Sequence, residues 1–190
     1  MNLYIVDIRK TEFDFDKLFN ALPLAEQNKI NAYKNKDDKV RSLIGLTLAH
    51  RYLNIKEVKY TENGKPFGNC GFFNISHSGD IVVLLSSKNN DVGVDIEHIN
   101  RDKKKLDEYV FGTKMSQKEF IENWTRLEAF SKCLGTGFGK EYKKYPHKAG
   151  VNIYKNKKIY INTLGDDSYV VSVAVLNFQE PLVTINVNIL

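Results

Sequence analysis

The sequence has few of the residues on which metal clusters, disulfide frameworks and membrane spans depend. It contains two cysteines, Cys70 and Cys133, and four histidines, none of them at the spacing of a zinc or redox site. Cysteines without a framework favour a reducing compartment, and we expect a cytoplasmic protein. No apolar run approaches the roughly 20 residues that span a bilayer, and the opening residues lack the order of a secretory segment.

The charges that are present lie unevenly along the 190 residues. Residues 1–100 hold 13 basic and 13 acidic side chains, whereas residues 101–158 hold 15 basic and 7 acidic ones. A basic segment beside a neutral one indicates an acidic partner or a phosphate-bearing ligand. The alternative is an ordinary lysine-rich surface.

Two kinds of periodicity indicate the fold. Residues 37–53 and 118–134 show the spacing of amphipathic helices, and each helix precedes a predicted pair of strands. This repeated order predicts an α+β protein, a pseudo-two-fold tandem of similar subdomains at residues 1–100 and 101–190, joined by the polar stretch 98–105. Each subdomain would carry a small antiparallel sheet and a long helix. Strands are predicted at 3–8, 72–75, 81–85, 92–97, 151–154, 158–161, 169–176 and 183–189.

The strand at 92–97 carries two acids on one face. A period of two places Gly93, Asp95 and Glu97 together, opposite three apolar residues. Neighbouring carboxylates repel unless a cation lies between them, and hard divalent ions prefer oxygen ligands. The pair therefore indicates a metal site, with a solvent-facing acid pair as the alternative.

The second predicted helix carries a possible charged site of its own. Glu128 and Lys132 are four residues apart and share a face, with Trp124 one turn earlier. A plain surface ion pair is the alternative. Gly135 is a plausible end of this helix, and the "GTGFGK" stretch that it opens fits neither the phosphate-loop nor the dinucleotide pattern.

The stretch Ser76-His77-Ser78 interrupts two apolar runs. Adjacent side chains of an extended chain point to opposite faces, so Ser76 and His77 cannot form a catalytic dyad. We interpret the three residues as a strand-to-strand turn suited to a phosphate, because hydroxyls, backbone N–H groups and an imidazole can all donate to it. A turn chosen for its geometry alone is the alternative. Arg41, on the first helix, and Lys65, in an Asn-Gly-Lys-Pro turn, have structural explanations too.

The order of these motifs resembles the 4′-phosphopantetheinyl transferases, in particular the long, monomeric, surfactin-synthetase-activating type. Five motifs occur in sequence over residues 41–132. They are Arg-x-x-x-Gly at 41–45, Gly-Lys-Pro at 64–66, Asn-x-Ser-His-Ser at 74–78, Gly-x-Asp-x-Glu at 93–97 and Trp-x-x-x-Glu-x-x-x-Lys at 124–132.

The resemblance implies a reaction as well as a fold. Coenzyme A would lie in the cleft between the two subdomains, with Mg²⁺, or Mn²⁺, on its pyrophosphate. The phosphopantetheine arm would pass to a serine of an acyl or peptidyl carrier protein, releasing 3′,5′-adenosine bisphosphate. We expect an acidic carrier docking on the basic C-terminal half, including residues 103–105, a monomer, and neither a nucleic-acid nor a membrane partner.

The resemblance also implies roles for individual residues. Asp95, Glu97 and Glu128 would hold the metal, Glu128 would be the general base, and Lys132 would neutralise the leaving group. The coenzyme would be bound by Arg41, near its 3′-phosphate, and by Lys65, Ser76 and His77.

Two departures from the family pattern stand out. Leu127 occupies the position where the family usually has lysine, and the 98–123 segment, which belongs to the carrier-docking region, is short.

Two other functions use the same residues. A different Mg²⁺-dependent enzyme that cleaves phosphodiesters could employ Asp95, Glu97 and Glu128. A non-catalytic binder of acidic molecules could act through residues 101–158 and would tolerate the loss of these carboxylates.

Overall fold

The computed structural model describes residues 1–69, 71–102, 106–137, 141–177 and 181–188. Several sequence predictions therefore fall outside the described residues. These are the basic residues 103–105 within the expected connector, the end of the glycine-rich stretch at 138–140, residue 189 of the last predicted strand, and Cys70.

The two predicted long helices and the predicted strands occur in the expected order. The helices are α1 (Phe15–Ala21), α2 (Leu24–Asn31), α3 (Lys36–Leu53), α4 (Leu106–Phe111) and α5 (Gln117–Leu134). The strands are β1 (Asn2–Asp7), β2 (Lys59–Tyr60), β3 (Pro66–Phe67), β4 (Phe72–Ser78), β5 (Ile81–Ser87), β6 (Val92–His98), β7 (Gly150–Tyr154), β8 (Lys157–Gly165), β9 (Tyr169–Leu176) and β10 (Val183–Asn186). The chain thus has further short elements that the sequence did not predict, α1, α2, β2, β3 and α4.

The two long helices begin and end at residues suited to those places. The Asn35 side chain accepts from Asp37 N at the start of α3, and Ser116 accepts from Glu119 N at the start of α5. Gly135 ends α5 in the left-handed conformation, at φ 67°, and its N–H donates to the carbonyls of Ser131 and Lys132. The predicted end of this helix is confirmed.

Two four-stranded sheets organise the fold. The first has the order β10-β1-β5-β4, with β10 parallel to β1, and the second has the antiparallel order β6-β9-β8-β7. Each sheet draws a strand from the other side of residue 100, since β6 precedes it and β10 follows it. The α+β class is confirmed, and the division into subdomains at residue 100 stays a prediction.

The cores show that the sheets and helices form four layers. One core joins α3 to the first sheet, a second lies between the two sheets, and a third joins the second sheet to α5. Val92, Val94 and Ile96 lie in the core between the sheets, as the alternation predicts. The opposite face of β6 is thereby directed to α5. Among the described residues, no helix is both long and apolar enough to cross a membrane.

One predicted local structure is wrong. Strand β4 continues to Ser78, and the turn that joins it to β5 is formed by Gly79 and Asp80. Ser76, His77 and Ser78 are paired with β5 along the sheet, so Ser76 and Ser78 project to one face and His77 to the other. Ser76 and Ser78 face polar groups of the other sheet, and His77 faces the helix side of the first sheet.

Candidate active site

A cavity of about 370 Å³ lies between α3, the helix that packs on the first sheet, and the C-terminal end of α5. Its walls come from α3, β4, α5 and the turn before β3, so it is bounded by both halves of the chain. Five of the six residues predicted for coenzyme binding or catalysis line it: Arg41, Lys65, His77, Glu128 and Lys132. The side chains that matter for its chemistry are those of Lys29, Tyr33, Arg41, Tyr60, Lys65, His77, Glu128 and Lys132.

Three carboxylates meet beside this cavity. Asp95 and Glu97 on β6 and Glu128 on α5 each offer an oxygen, and these oxygens lie within 4.8 Å of one another. The close approach of α5 to β6 depends on Gly93, because a Cβ there would overlap with backbone atoms of Ala129 and Cys133. The glycine of the Gly-x-Asp-x-Glu motif thus brings the third acid to the other two.

Lys132 enters the same cluster from α5. Its Nζ lies 2.5 Å from Asp95 Oδ1 and 3.2 Å from Glu128 Oε2, and it donates to Ser76 Oγ at 3.1 Å. Burial raises the pKa of Asp95 to about 7, although the Lys132 ammonium acts in the opposite direction. Burial alone would lower the pKa of Lys132, but the two carboxylates outweigh it and raise that pKa.

The cluster has the donors that a hard divalent cation requires. Asp95 Oδ2 is buried and has no hydrogen-bond partner among the described residues, which leaves it available as a ligand. Carboxylate oxygens from three residues suit Mg²⁺ or Mn²⁺ better than a softer metal. The residues present therefore fit the predicted metal, with Asp95, Glu97 and Glu128 as its holders.

Arg41 and His77 lie together on one side of the cavity. Arg41 donates to Asp38 Oδ1 at 2.6 Å and to the Gly79 carbonyl at 3.1 Å, which fixes its guanidinium beside the end of β4. Its buried Nε has no partner among the described residues. Burial, assisted by the positive charges of Arg41 and Lys132, lowers the pKa of His77. A phosphate beside the imidazole would raise that pKa.

Lys65 and Ser76 are directed away from the open cavity. Lys65 lines the wall, but its ammonium donates to Asp91 Oδ1 and to the Cys133 carbonyl, each at 2.6 Å. Ser76 Oγ donates to Asp95 Oδ1 at 2.8 Å, on the opposite side of β4 from His77. The structure thus brings Arg41, His77, Glu128 and Lys132 together at the cavity and places Ser76 with the carboxylates.

Sequence reasoning missed one end of the cavity. Lys29 of α2 lies 3.3 Å above the ring of Tyr60, and Tyr33 lies beside them. Burial lowers the pKa of Lys29. No motif marks these residues, and Ile30 is the one apolar residue that α2 buries among those described, so its sequence carries little helical pattern. The only available signal was the helical spacing of Lys29 from Glu26 and Tyr33.

The chain was compared with known proteins. A family model described as "4′-phosphopantetheinyl transferase, N-terminal" matches residues 9–89. The 4′-phosphopantetheinyl transferase AcpT of Salmonella typhimurium is 37% identical over 110 residues, which cover 49% of this chain and 57% of that protein. A phosphopantetheinyl transferase of Thraustochytrium sp. is 27% identical over 164 residues, which cover 78% of this chain and 54% of its own length. The chain spans little more than half the length of these curated relatives.

Proposed function

We propose that the chain is a member of the 4′-phosphopantetheinyl transferase superfamily and that it transfers the phosphopantetheine arm of coenzyme A to a serine of an acyl or peptidyl carrier protein. The observation that carries the proposal is the meeting of a cationic cavity with three carboxylates and Lys132. The cavity would hold the phosphates of the coenzyme. The carboxylates and Lys132 would act on the phosphorus–oxygen bond that breaks during the transfer.

The binding side of the proposal assigns the coenzyme to the cavity. Arg41 and His77 would receive the 3′-phosphate, because the guanidinium is fixed there and the imidazole gains a proton next to an anion. Lys29 and Tyr60 would extend this side of the pocket. Lys65 would contribute through its stem and through the end of α5 that it supports.

The chemical step requires one proton acceptor and one cation from the chain. The serine oxygen of the carrier attacks the phosphorus that bears the pantetheine, Glu128 accepts the serine proton, and the bond to the oxygen of 3′,5′-adenosine bisphosphate breaks. Lys132 would stabilise the charge that develops on the departing phosphate. A Mg²⁺ ion held by Asp95, Glu97 and Glu128 would supply Lewis-acid stabilisation of the pyrophosphate.

The basic second half provides a docking surface for an acidic carrier in this proposal. Several lysines of this half are exposed among the described residues: Lys114, Lys118, Lys143, Lys144, Lys148, Lys155, Lys157 and Lys158. Opposite charge would accelerate the encounter, so raising the salt concentration should raise KM for the carrier more than KM for coenzyme A.

The test is a modification assay on a panel of unrelated apo-carriers with coenzyme A and Mg²⁺. We expect a mass increase of one phosphopantetheine on at least one carrier, lost on chelation and in the Glu128→Gln variant. The exposed Glu119→Gln change on the same helix is the matched control and should retain the activity. Hydrolysis of phosphodiesters without coenzyme A, abolished by Asp95→Asn and accompanied by no carrier modification, would contradict the proposal and support the phosphodiester-cleaving alternative.

A further inference from the structure

The two sheets meet through side chains along strands β4 and β6. Each of these strands is at the edge of its own sheet. Three residues on one face of β4 reach across: Asn74 Oδ1 accepts from Val94 N at 3.1 Å, Ser76 donates to Asp95, and Ser78 donates to Glu97. We call this row of contacts, residues 74, 76 and 78 against residues 94–98, the β4–β6 seam.

Ser78 has a fixed orientation within the seam. Its Oγ accepts from the backbone N–H of His98 at 3.1 Å and lies 2.9 Å from Glu97 Oε2. Because the His98 N–H already occupies an acceptor position on the hydroxyl, the hydroxyl proton is directed to the Glu97 carboxylate. The other Glu97 oxygen, Oε1, pairs with Arg101. The position of one carboxylate oxygen of Glu97 is thus fixed by a residue of β4, in the other sheet.

We propose that Ser78 is a positioning residue that orients Glu97 for divalent-cation binding from across the seam, as Ser76 does for Asp95. This inference rests on the proposed metal site. The inference gives the histidine and the two serines of the Ser-His-Ser motif different functions. His77 serves the cavity, while the serines on either side hold carboxylates of the opposite sheet.

Partners that orient metal ligands have a measurable effect on affinity, since their loss typically weakens metal binding or activity about 10- to 100-fold. We therefore expect Ser78→Ala to raise the dissociation constant for Mg²⁺ at least about tenfold. The measurement is isothermal titration calorimetry of the whole chain with Mg²⁺ alone, and with Mn²⁺ alone, in the absence of coenzyme and carrier. Ser78→Thr keeps the hydroxyl on a strand and should restore the affinity to within about threefold of wild type.

The matched control is Asn74→Ala. It removes a hydrogen bond of the same seam but one that ends on the backbone of Val94 rather than on a carboxylate. It should lower Tm while leaving the Mg²⁺ affinity within about twofold of wild type, which separates ligand orientation from docking of the strands.

Each other outcome overturns a distinct statement. Equal losses of affinity in Ser78→Ala and Asn74→Ala, or unchanged affinity in Ser78→Ala, would overturn the positioning role and leave the proposed function standing. Failure of Ser78→Thr to restore affinity would also count against it. A wild-type chain that transfers phosphopantetheine with Mg²⁺ but binds neither ion alone would overturn this inference. A chain that neither binds these ions nor modifies any carrier would overturn the proposed function as well.

Discussion

The Lys132 ammonium on α5 lies 2.5 Å from Asp95 Oδ1 on β6, although the two residues are 37 positions apart. Asp95 is 2% exposed, so its charge depends on a partner supplied by another element. Lys132 also contacts Glu128 and Ser76. Its ammonium therefore lies between an acid of β6, Asp95, and an acid of α5, Glu128. A divalent cation at the same carboxylates would compete with it electrostatically.

Replacing Lys132 with methionine should affect both stability and rate. Without the ammonium, the buried Asp95 must either stay charged with no counter-ion or take up a proton at a pH well above its unfolded pKa. Both cost folding free energy, so we expect a lower Tm in a chelator. Added Mg²⁺ should then raise Tm by more than it does in wild type, because the ion replaces the missing charge. Transfer to the carrier should slow about 100-fold or more, as for the loss of a donor to developing charge. Thermal scans and single-turnover assays measure the two effects.

The control for this prediction is Lys118→Met, which removes the same charge from an exposed position of the same helix. It should leave Tm in chelator and the response to Mg²⁺ unchanged. Identical Mg²⁺ responses in the two variants would show that Lys132 does not share the carboxylates with the ion.

The regular strands and both long helices could be predicted because their burial patterns are simple. Residues 169–176 alternate against two cores, and Asn35, Ser116 and Gly135 mark helix ends by their own chemistry. Their positions depend mainly on local sequence. Short elements such as α1, with no buried residue, and α2 carry no comparable pattern, and they were missed.

The site was harder to predict where it depends on contacts between elements that are distant along the chain. Ser76 and Ser78 are polar because they face carboxylates of the other sheet, and from sequence alone this polarity resembles a turn. Lys65 looks like a free cation in a Gly-Lys-Pro turn, yet it is held by Asp91 and the end of α5. Only the packing of α5 over Gly93 reveals which residues meet.

Binding of coenzyme A should depend on pH through His77. Burial lowers the pKa of the free imidazole, and a phosphate beside it would raise that pKa in the complex. A proton is then taken up on binding, so affinity should strengthen as pH falls from about 8 to about 6. His77→Gln should raise KM for coenzyme A more than it lowers kcat and should flatten this pH dependence.

The phosphate of the coenzyme also titrates near pH 6, and this adds the same pH dependence to binding by the wild-type protein and by His77→Gln. The difference between the wild-type and His77→Gln profiles therefore isolates the imidazole. Parallel profiles, or a loss confined to kcat, would place His77 outside the phosphate site.

A second pH effect should appear in the stability of the fold. His50 Nε2 lies 2.8 Å from Glu26 Oε2, and the other oxygen of this buried acid accepts from Val58 N at 2.7 Å. The hydrogen bond that His50 donates to the Glu26 carboxylate raises the pKa of His50 in the folded protein. Its stabilisation is therefore complete below the unfolded value of about 6.5 and is lost as pH rises through the higher folded value.

Urea unfolding at about pH 6 and about pH 9 measures this effect. Wild type should lose about 1 kcal/mol more unfolding free energy over this interval than His50→Gln. His147→Gln, which alters a ring that contacts only the Tyr145 carbonyl among the hydrogen bonds described, should retain the wild-type dependence. An unaltered pH dependence in His50→Gln would contradict the prediction.

The contact between β6 and α5 predicts a large effect of Gly93→Ala. The added Cβ overlaps with backbone atoms of Ala129 and Cys133, and neither can move without moving the helix. We expect a loss of about 3 kcal/mol of unfolding free energy and weaker Mg²⁺ binding, because Glu128 withdraws from the other acids. Gly112→Ala provides the comparison, since its φ of 72° carries strain but no described atom beyond its chain neighbours lies within 4 Å of the new Cβ. It should cost about 1–2 kcal/mol and leave the metal affinity intact.

Leu127 stands at the position where the motif that the sequence resembles usually has lysine, and its surroundings predict what a lysine would do here. The side chain is 1% exposed and packs in the core between α5 and the second sheet. Leu127→Lys should bury an unpaired ammonium, cost about 3 kcal/mol or more and lower Tm by roughly 10 °C, without raising the transfer rate. Leu127→Met keeps the volume and the apolar character and should cost less than about 1.5 kcal/mol. A lysine variant with wild-type Tm and faster transfer would mean that this face of α5 opens to the substrate, and the core assignment of Leu127 would fall.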